Sequence, residues 1–241
     1  MKNKIHLFSL ILLSIFAFGQ TNKIFLSKFL MNEELQIENS LYRYQNYNFS
    51  NIWLKTDNKF VYGIIGDNQQ RLQLKLVSIV INSNKTSEYL VQGKSMVKGN
   101  VCDFSGRITI LEIRELKKFH FGIDDEFKNY GIKKQGIIIA NYQFNEDSKQ
   151  KNSGSFSGKL YSKWYLNKNN EVVYDDIQLQ SDSYMNNSFI GTWKSYKKNK
   201  NKNKIANWGD HRVPMANADF DIGAGEINVS KKYLKNGWQD F

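Results

Sequence analysis

The stretch RLQLKLVSIVI (71–81) sets the fold class, because apolar and polar side chains alternate along it from Leu72 to Leu76. Such alternation places one set of side chains on each face of a β-strand. The apolar run Phe60 to Gly66 precedes it, and the two runs predict a first hairpin. Similar short segments separated by polar turns follow at 87–98, 101–116, 136–144, 154–166, 172–180, 188–198 and 205–213. The series predicts an all-β, single-domain antiparallel meander rather than alternating strands and helices.

Helical signals are few and short. Partial helical spacing occurs in 21–40, and Asp124 can cap a turn or two up to Gly131. Ser230 can cap a further segment that Asn236-Gly237 can close in the left-handed conformation. We therefore expect one or two short helices, an N-terminal extension, and an irregular C-terminal segment over about 205–241 within one domain, 20–241.

Three stretches repeat the pattern aromatic, any residue, glycine, any residue, apolar: FSGRI (104–108), FSGKL (156–160) and FIGTW (189–193). In a strand, the aromatic residue, the glycine and the apolar residue share one face. Glycine at such a position lets the sheet bend or a neighbouring strand approach closely. The pattern favours a curved sheet, with a barrel preferred over a sandwich.

The first residues have the form of a secretory signal peptide. Lys2 and Lys4 are basic, Ile5 to Phe18 is almost wholly apolar, and Ala17-Phe18-Gly19 offers small residues for cleavage. We expect 1–19 to be cleaved and the protein to be exported, either to a periplasm or to the extracellular medium. No later segment has the length of apolar sequence that a membrane-spanning helix needs, so we expect no transmembrane helix after cleavage.

Composition limits the remaining classes. The chain has 241 residues, 41% of them hydrophobic, with one Pro and one Cys, so collagen-like and disulfide-framework proteins are excluded. The formal net charge of +11 comes mostly from Lys, whereas base recognition usually draws on Arg, so we expect no nucleic-acid partner. Five lysines lie in one Lys/Asn run and could contact an anionic surface: Lys197, Lys198, Lys200, Lys202 and Lys204. A solvated loop is the alternative for that run.

The densest polar segment is WGDHRVP (208–214), followed by DFDIGAGE (219–226). Asp210 and Arg212 share a face in a strand and could pair. With Trp193 and Trp208 they are the residues outside the lysine run that we expect to contact a ligand or partner. Three carboxylates close to two glycines could supply hard oxygen ligands to a weak calcium site: Asp219, Asp221 and Glu226.

Motifs for catalysis are missing from the sequence. It contains no phosphate-binding Gly-x-x-x-x-Gly-Lys motif, no Gly-x-Ser-x-Gly and no His-Glu-x-x-His. Asp175-Asp176 is expected to form a solvated turn. We expect a protein that is not catalytic and needs no cofactor, with calcium as the one candidate; the rival is a secreted hydrolase or calcium-dependent protein that uses the carboxylate-rich C-terminal segment.

The Phe-x-Gly-x-apolar strands, the late FIGTW (189–193) strand and the meander over roughly Phe60 to Val213 resemble exported bacterial β-barrel proteins that are distantly lipocalin-like, or calycin-like. The resemblance implies a small antiparallel barrel that could hold a hydrophobic ligand. It brings no catalytic residue. The sequence therefore predicts an exported binding protein, with either a small apolar ligand inside the barrel or a protein or glycan partner at its loops.

Overall fold

The computed structural model describes residues 25–31, 33–197 and 203–241. The expected signal peptide, 1–19, lies outside them. The chain divides into two compact units at Glu34. In the described part of the first unit, helix α1 (25–30) brings the rings of Phe25 and Phe29 together at 5.7 Å between centroids.

The second unit, Leu35–Phe241, is an antiparallel β domain, as the sequence predicts. Its strands are β1 (Val61–Ile65), β2 (Gln70–Arg71), β3 (Gln73–Asn82), β4 (Lys85–Val97), β5 (Asn100–Glu115), β6 (Lys134–Glu146), β7 (Gly154–Leu166), β8 (Val172–Tyr174), β9 (Asn186–Ser195) and β10 (Lys204–Asp210). Helix α2 spans Ser50–Leu54, and short 3-10 helices span Leu41–Tyr44, Asn58–Phe60, Ile123–Asp125 and Lys231–Asn236. The expected C-terminal helix is thus a 3-10 helix, which Gly237 ends in the left-handed conformation at φ 97°.

All the strands belong to one sheet, ordered β2-β1-β10-β9-β7-β6-β5-β4-β3 with β8 beside β7. The sheet curls into a half barrel. Its two ends come near each other because only Leu72 separates β2 from β3, and the Leu72 N–H donates to the Gly63 carbonyl of β1 at 2.8 Å. The expected first hairpin is confirmed only next to its turn, where Ile64 and Ile65 of β1 pair with β2. Beyond that, β1 pairs with β10 along its whole length, and β3 pairs with β4.

The glycines of the repeated pattern permit close strand approach, as the sequence predicts. Gly158 of β7 lies directly opposite Gly191 of β9. A Cβ on Gly158 would lie 2.1 Å from the Ile190 carbonyl oxygen, and one on Gly191 would lie 2.1 Å from that of Ser157. A larger side chain at either position would force the two strands apart, so the curvature here depends on glycine.

Aromatic rings fill the concave side of the sheet. Phe189 stacks on Trp208 with centroids 4.6 Å apart, and Phe104 stacks on Phe144 at 4.9 Å. Tyr142 joins the two pairs, because it makes edge contacts with Trp208 and Phe189 and also lies 5.2 Å from the Phe144 ring centre. These side chains are almost fully buried, so side chains occupy the space in which an interior ligand would lie.

Helix α2 covers another part of the concave face. Its Trp53 donates from Nε1 to Ser162 Oγ of β7 at 2.9 Å, and its ring packs edge-on against Tyr89 of β4. Phe49 and Ile52 are also buried in the same core. The segment before β1 is thereby held against the sheet. Among the described residues, none of the helices has the length and apolar character needed to cross a membrane.

A second core lies on the outer side of β1. Trp238 is fully buried among Ile64, Val213, Phe220 and Tyr233. Its Nε1 donates to the Gln69 carbonyl at 2.9 Å. The C-terminal segment after β10 is therefore irregular in path but fixed in place.

Candidate functional site

A groove of about 780 Å³ lies between residues 46–60 on one side and 170–179 on the other, with His211 between them. Helix α2 supplies Asn51 to one wall, and β8 supplies Tyr174 to the opposite wall. A groove of this size can take a small molecule or a short oligomer.

The lining is rich in amides and carboxylates, with some aromatic and aliphatic surface. Among the described residues of the lining, Lys55 is the one that carries a permanent positive charge, against Asp57, Glu171 and Asp176. His211 is partly buried, and that burial lowers its pKa, so its ring is neutral at pH 7. The groove is therefore net acidic, which disfavours an anionic ligand.

Asp210 lies directly behind this lining and is buried. Its Oδ2 accepts three hydrogen bonds, from Thr56 Oγ1 at 2.9 Å, Tyr174 Oη at 3.1 Å and Asn187 Nδ2 at 2.7 Å. Burial raises the pKa of the Asp210 carboxyl to about 7, although the three hydrogen bonds act in the opposite direction. Because Thr56 and Tyr174 line the groove, Asp210 fixes the orientation of two groove hydroxyls without lining it.

His211, the residue after Asp210, helps to position the residues that line the groove. Its backbone is in the left-handed region at φ 67°, which turns the chain sharply at the end of β10. The His211 N–H donates to the Phe60 carbonyl at 2.8 Å, and the two rings stack at 5.0 Å. The Phe60 ring is thus held at the groove by His211, and Lys59 Nζ lies 4.8 Å from its centre.

A further buried polar cluster continues from Asp210 along the same end of the sheet. The Asp175 carboxylate lies 3.2 Å from His120 Nε2, and the Asp175 carbonyl accepts a hydrogen bond from Tyr184 Oη. Asn186 donates to the Lys163 carbonyl at 3.1 Å and to that of Asp175 at 3.2 Å. Asp175 is 2% exposed, so the prediction of a solvated turn for it is wrong.

The structure does not bring the expected ligand-contacting residues together in one site. Trp193 and Trp208 are core residues, 9% and 2% exposed, and Trp193 donates from Nε1 to Glu146 at 2.9 Å. The pair expected between Asp210 and Arg212 does not form, since Arg212 bonds to Asp221 instead. The positive φ of His211 turns the chain between them, so the strand geometry that would align the two residues ends at Asp210.

The guanidinium of Arg212 organises the loop that the sequence suggested for calcium. It donates to the carbonyls of Gly223, Ala224 and Gly225 at 2.9, 2.7 and 2.7 Å. Asp219 accepts from Lys232 at 2.7 Å and from Tyr233 at 2.6 Å. Within the described residues, Asp219, Asp221 and Glu226 do not form a cluster with the donors a metal ion needs. A calcium site there stays a prediction.

The lysine run is only partly described. Lys197 Nζ donates to Asn152 Oδ1 at 3.3 Å, and Lys204 Nζ lies 5.4 Å from the centre of the Trp193 ring. Lys198, Lys200 and Lys202 lie outside the described residues. The anionic surface therefore stays a prediction.

Sequence reasoning selected Asp210 but missed the residues that surround it. Thr56, Tyr174 and Asn187 are 154, 36 and 23 positions away in the chain. A Tyr directly before Asp175-Asp176 is the one signal that could have drawn attention to β8. Phe60 was assigned to a strand, whereas it ends a 3-10 helix and lies in the groove.

Fold and site together define a curled antiparallel β protein with a filled concave face and a net acidic lateral groove. Comparison of the chain with protein-family models, with curated proteins and with solved structures gives no match.

Proposed function

We propose that this chain is an exported binding protein that holds a neutral or amino-bearing glycan in the lateral groove. The observation that carries the proposal is the groove itself, whose lining combines Asn and Asp side chains with the aromatic ring of Phe60. A sugar ring has C–H groups that pack on an aromatic face and hydroxyls at its rim that hydrogen-bond to amides and carboxylates. The filled concave side of the sheet favours this partner over an apolar ligand inside the barrel.

The hydroxyls of Thr56 and Tyr174 support binding rather than turnover. Both donate their protons to Asp210, so their oxygens are oriented to accept hydrogen bonds from a ligand. Asp210 itself is one layer behind the lining and is a positioning residue. A preorganised set of acceptors lowers the entropy cost of binding.

A glycan panel tests the proposal. Neutral, amino-bearing and sulfated oligosaccharides would be titrated into the full chain by calorimetry. We expect binding by the first two classes and none by the sulfated class. Phe60→Ala should weaken binding about tenfold, which corresponds to the loss of one aromatic contact of about 1.4 kcal/mol.

Tyr130→Ala is the matched control, because it removes an exposed aromatic ring that does not line the groove. Its affinity should equal that of the unchanged chain. Failure of all three classes to bind, or an equal loss in both variants, would reject the glycan groove.

A second candidate, glycan hydrolysis, rests on two groove carboxylates with opposite shifts. A backbone hydrogen bond from Lys59, together with the Lys59 side chain, lowers the pKa of Asp57. Partial desolvation in the groove and the nearby Asp175 raise the pKa of Asp176. Two carboxyl groups whose pKa values are shifted in opposite directions suit the base and the acid of a hydrolase.

Release of reducing ends from a bound oligosaccharide separates the two candidates. If the unchanged chain releases reducing ends and Asp176→Asn abolishes this release but still binds the oligosaccharide, the protein is a hydrolase. Binding without turnover, with an unchanged affinity in Asp176→Asn, would assign a binding protein.

A further inference from the structure

A second pocket, of about 360 Å³, shares no residue with the groove and has the opposite charge. Its basic residues come from three separate parts of the chain: Arg71 from β2, Lys98 from the β4–β5 turn and Lys235 from the C-terminal 3-10 helix. In the part of the chain that the structure describes, no acidic side chain lines this pocket. Convergence of three cations from distant segments in one concavity concentrates positive potential there.

Arg71 is held in a fixed position. Its guanidinium lies 5.3 Å from the ring centres of both Trp238 and Phe241. Nη1 donates to the Gly237 carbonyl at 3.2 Å and approaches the exposed carboxylate of Asp240 at 3.4 Å. Both contacts use Nη1, so Nε and Nη2 stay available within the described part of the chain. Two adjacent N–H groups of a guanidinium match two oxygens of a phosphate or sulfate.

The walls around Arg71 are tied together by hydrogen bonds. Gln70 Nε2 donates to the Asn236 carbonyl, and Asn236 Nδ2 donates to the Asn68 carbonyl at 2.7 Å. The buried Trp238 fixes the same segment from below through its bond to Gln69. The position of Lys235 relative to Arg71 is therefore set by the fold and not by the side chains alone.

The third wall is the tight turn between β4 and β5. Lys98 and Gly99 both have positive φ, 51° and 74°, as the two central residues of a type I′ hairpin turn do. A Cβ on Gly99 would meet nothing within 4 Å, so a ligand has space beside its backbone. Gln73 and Gln239 add amide groups to the lining.

We propose that this cationic pocket binds a phosphate or sulfate group carried by a small molecule or by a lipid headgroup. Arg71 supplies the directional contact, and Lys98 and Lys235 supply charge. The site is independent of the groove proposed for glycans, which repels anions. None of the described residues that line it belongs to the lysine run at 197–204.

The first experiment titrates inorganic phosphate into isotope-labelled full chain and follows the backbone amide resonances of Gly99 and Gly237. We expect saturable shifts at both glycines by about 10 mM phosphate, a concentration that fills a site of millimolar affinity. A lack of saturable shifts at these two glycines would overturn the proposal.

The test variant is K98N/K235Q. Asn-Gly is favoured in a type I′ turn, so K98N removes the charge and keeps the hairpin. Lys235 is exposed, so K235Q does not disturb the core. The control K75Q/K231Q removes the same charge from two exposed lysines that do not line the pocket. We expect at least about a tenfold loss of phosphate affinity in the test variant and none in the control. An equal loss in both would show non-specific attraction and overturn the proposal.

Two further titrations distinguish a small molecule from a lipid headgroup as the source of the anion. One uses glycerol phosphate in solution, and the other uses vesicles of phosphatidylglycerol. Tighter binding of glycerol phosphate than of inorganic phosphate, lost in K98N/K235Q, supports a small phosphorylated molecule. Vesicle binding that is lost in K98N/K235Q and kept in K75Q/K231Q supports a lipid headgroup. If both variants still bind the vesicles, the pocket has no role in vesicle binding, and the lipid headgroup is rejected as the source of the anion.

Discussion

Two regions of the β domain, which we name the aromatic end and the polar end, are built on different principles. At one end, Phe144, Phe189 and Trp208 pack ring against ring with few polar atoms. At the other, Asp175 and Asp210 are buried among amides and hydroxyls. Apolar packing tolerates modest changes of shape at a moderate cost, whereas a buried polar group left without its partner carries a full desolvation penalty. The aromatic end therefore supplies stability, and the polar end fixes the geometry of the groove beside it.

The largest effect is expected at the aromatic end. Trp208→Ala removes the ring that Phe189 stacks on and leaves a cavity in the core, so the free energy of unfolding should fall by about 3–5 kcal/mol. Urea unfolding followed by far-ultraviolet circular dichroism measures this loss. Tyr130→Ala, on the surface, should change stability by less than about 1 kcal/mol. A similar loss in both variants would mean that the aromatic end is not the main source of stability.

The second effect is a pH dependence at the polar end. The folded-state pKa of Asp210, about 7, is above its unfolded value of 3.8. The folded state therefore retains a proton that the unfolded state releases, and stability should fall as the pH rises from about 4 to about 7. A shift of about three units corresponds to an upper bound of about 4 kcal/mol.

Asp210→Asn isolates this contribution, because Asn does not titrate in this range. The difference in unfolding free energy between the original chain and the variant should decrease by up to this amount between pH 4 and pH 7. The contribution of His211 is common to both proteins and cancels in that difference. A difference that stays constant with pH would place the Asp210 pKa near its ordinary value.

A matched pair of tyrosines gives a smaller and sharper contrast. Tyr174→Phe removes a hydroxyl that donates to Asp210, and it should cost about 1–2 kcal/mol. Tyr142→Phe removes a buried hydroxyl with no hydrogen-bond partner among the described residues, so stability should stay the same or rise by up to about 1 kcal/mol. Chemical denaturation gives the unfolding free energy of both variants, and it compares the two ends because each variant loses the same tyrosine hydroxyl. Equal losses would contradict the contrast between them.

The smallest effect is expected from calcium. Asp219 and Asp221 are already bonded to Lys232 and Arg212, so added calcium should raise the melting temperature no more than magnesium does. Differential scanning calorimetry with each ion at about 5 mM makes the comparison. A shift specific to calcium would support the site that the sequence suggested.

The sequence predicts the fold better than the site because strand formation has a local signal. Alternation at 71–81 and the glycine pattern at 158 and 191 are visible in a few consecutive residues, and the structure confirms the antiparallel sheet and the close approach. The partner of β1 is not visible, since β10 is far away in sequence and no local pattern specifies it. For that reason the predicted first hairpin is too long: β1 pairs with β2 next to the turn, while β3 pairs with β4.

The site depends on such distant pairings. Asp210 could be chosen because it lies in the densest polar segment, but Thr56 reaches it only because α2 folds back over the sheet. The sequence analysis also predicts that Trp193 and Trp208 contact a ligand or partner, yet alternation within β9 and β10 turns both inward. Whether an aromatic residue faces the core or a ligand is decided by the closure of the sheet, which a single sequence does not encode locally.

The pairing of β1 with β10 also bears on synthesis of the chain. Val61 is opposite Asp210, and roughly 150 residues between them take about 7–30 s to make at about 5–20 residues per second. During that interval β1 has only the two-residue strand β2 as a neighbour. An emerging chain therefore shows an unpaired apolar edge until β10 has been made, and a chaperone that recognises Val61–Ile65 would have this window in which to bind.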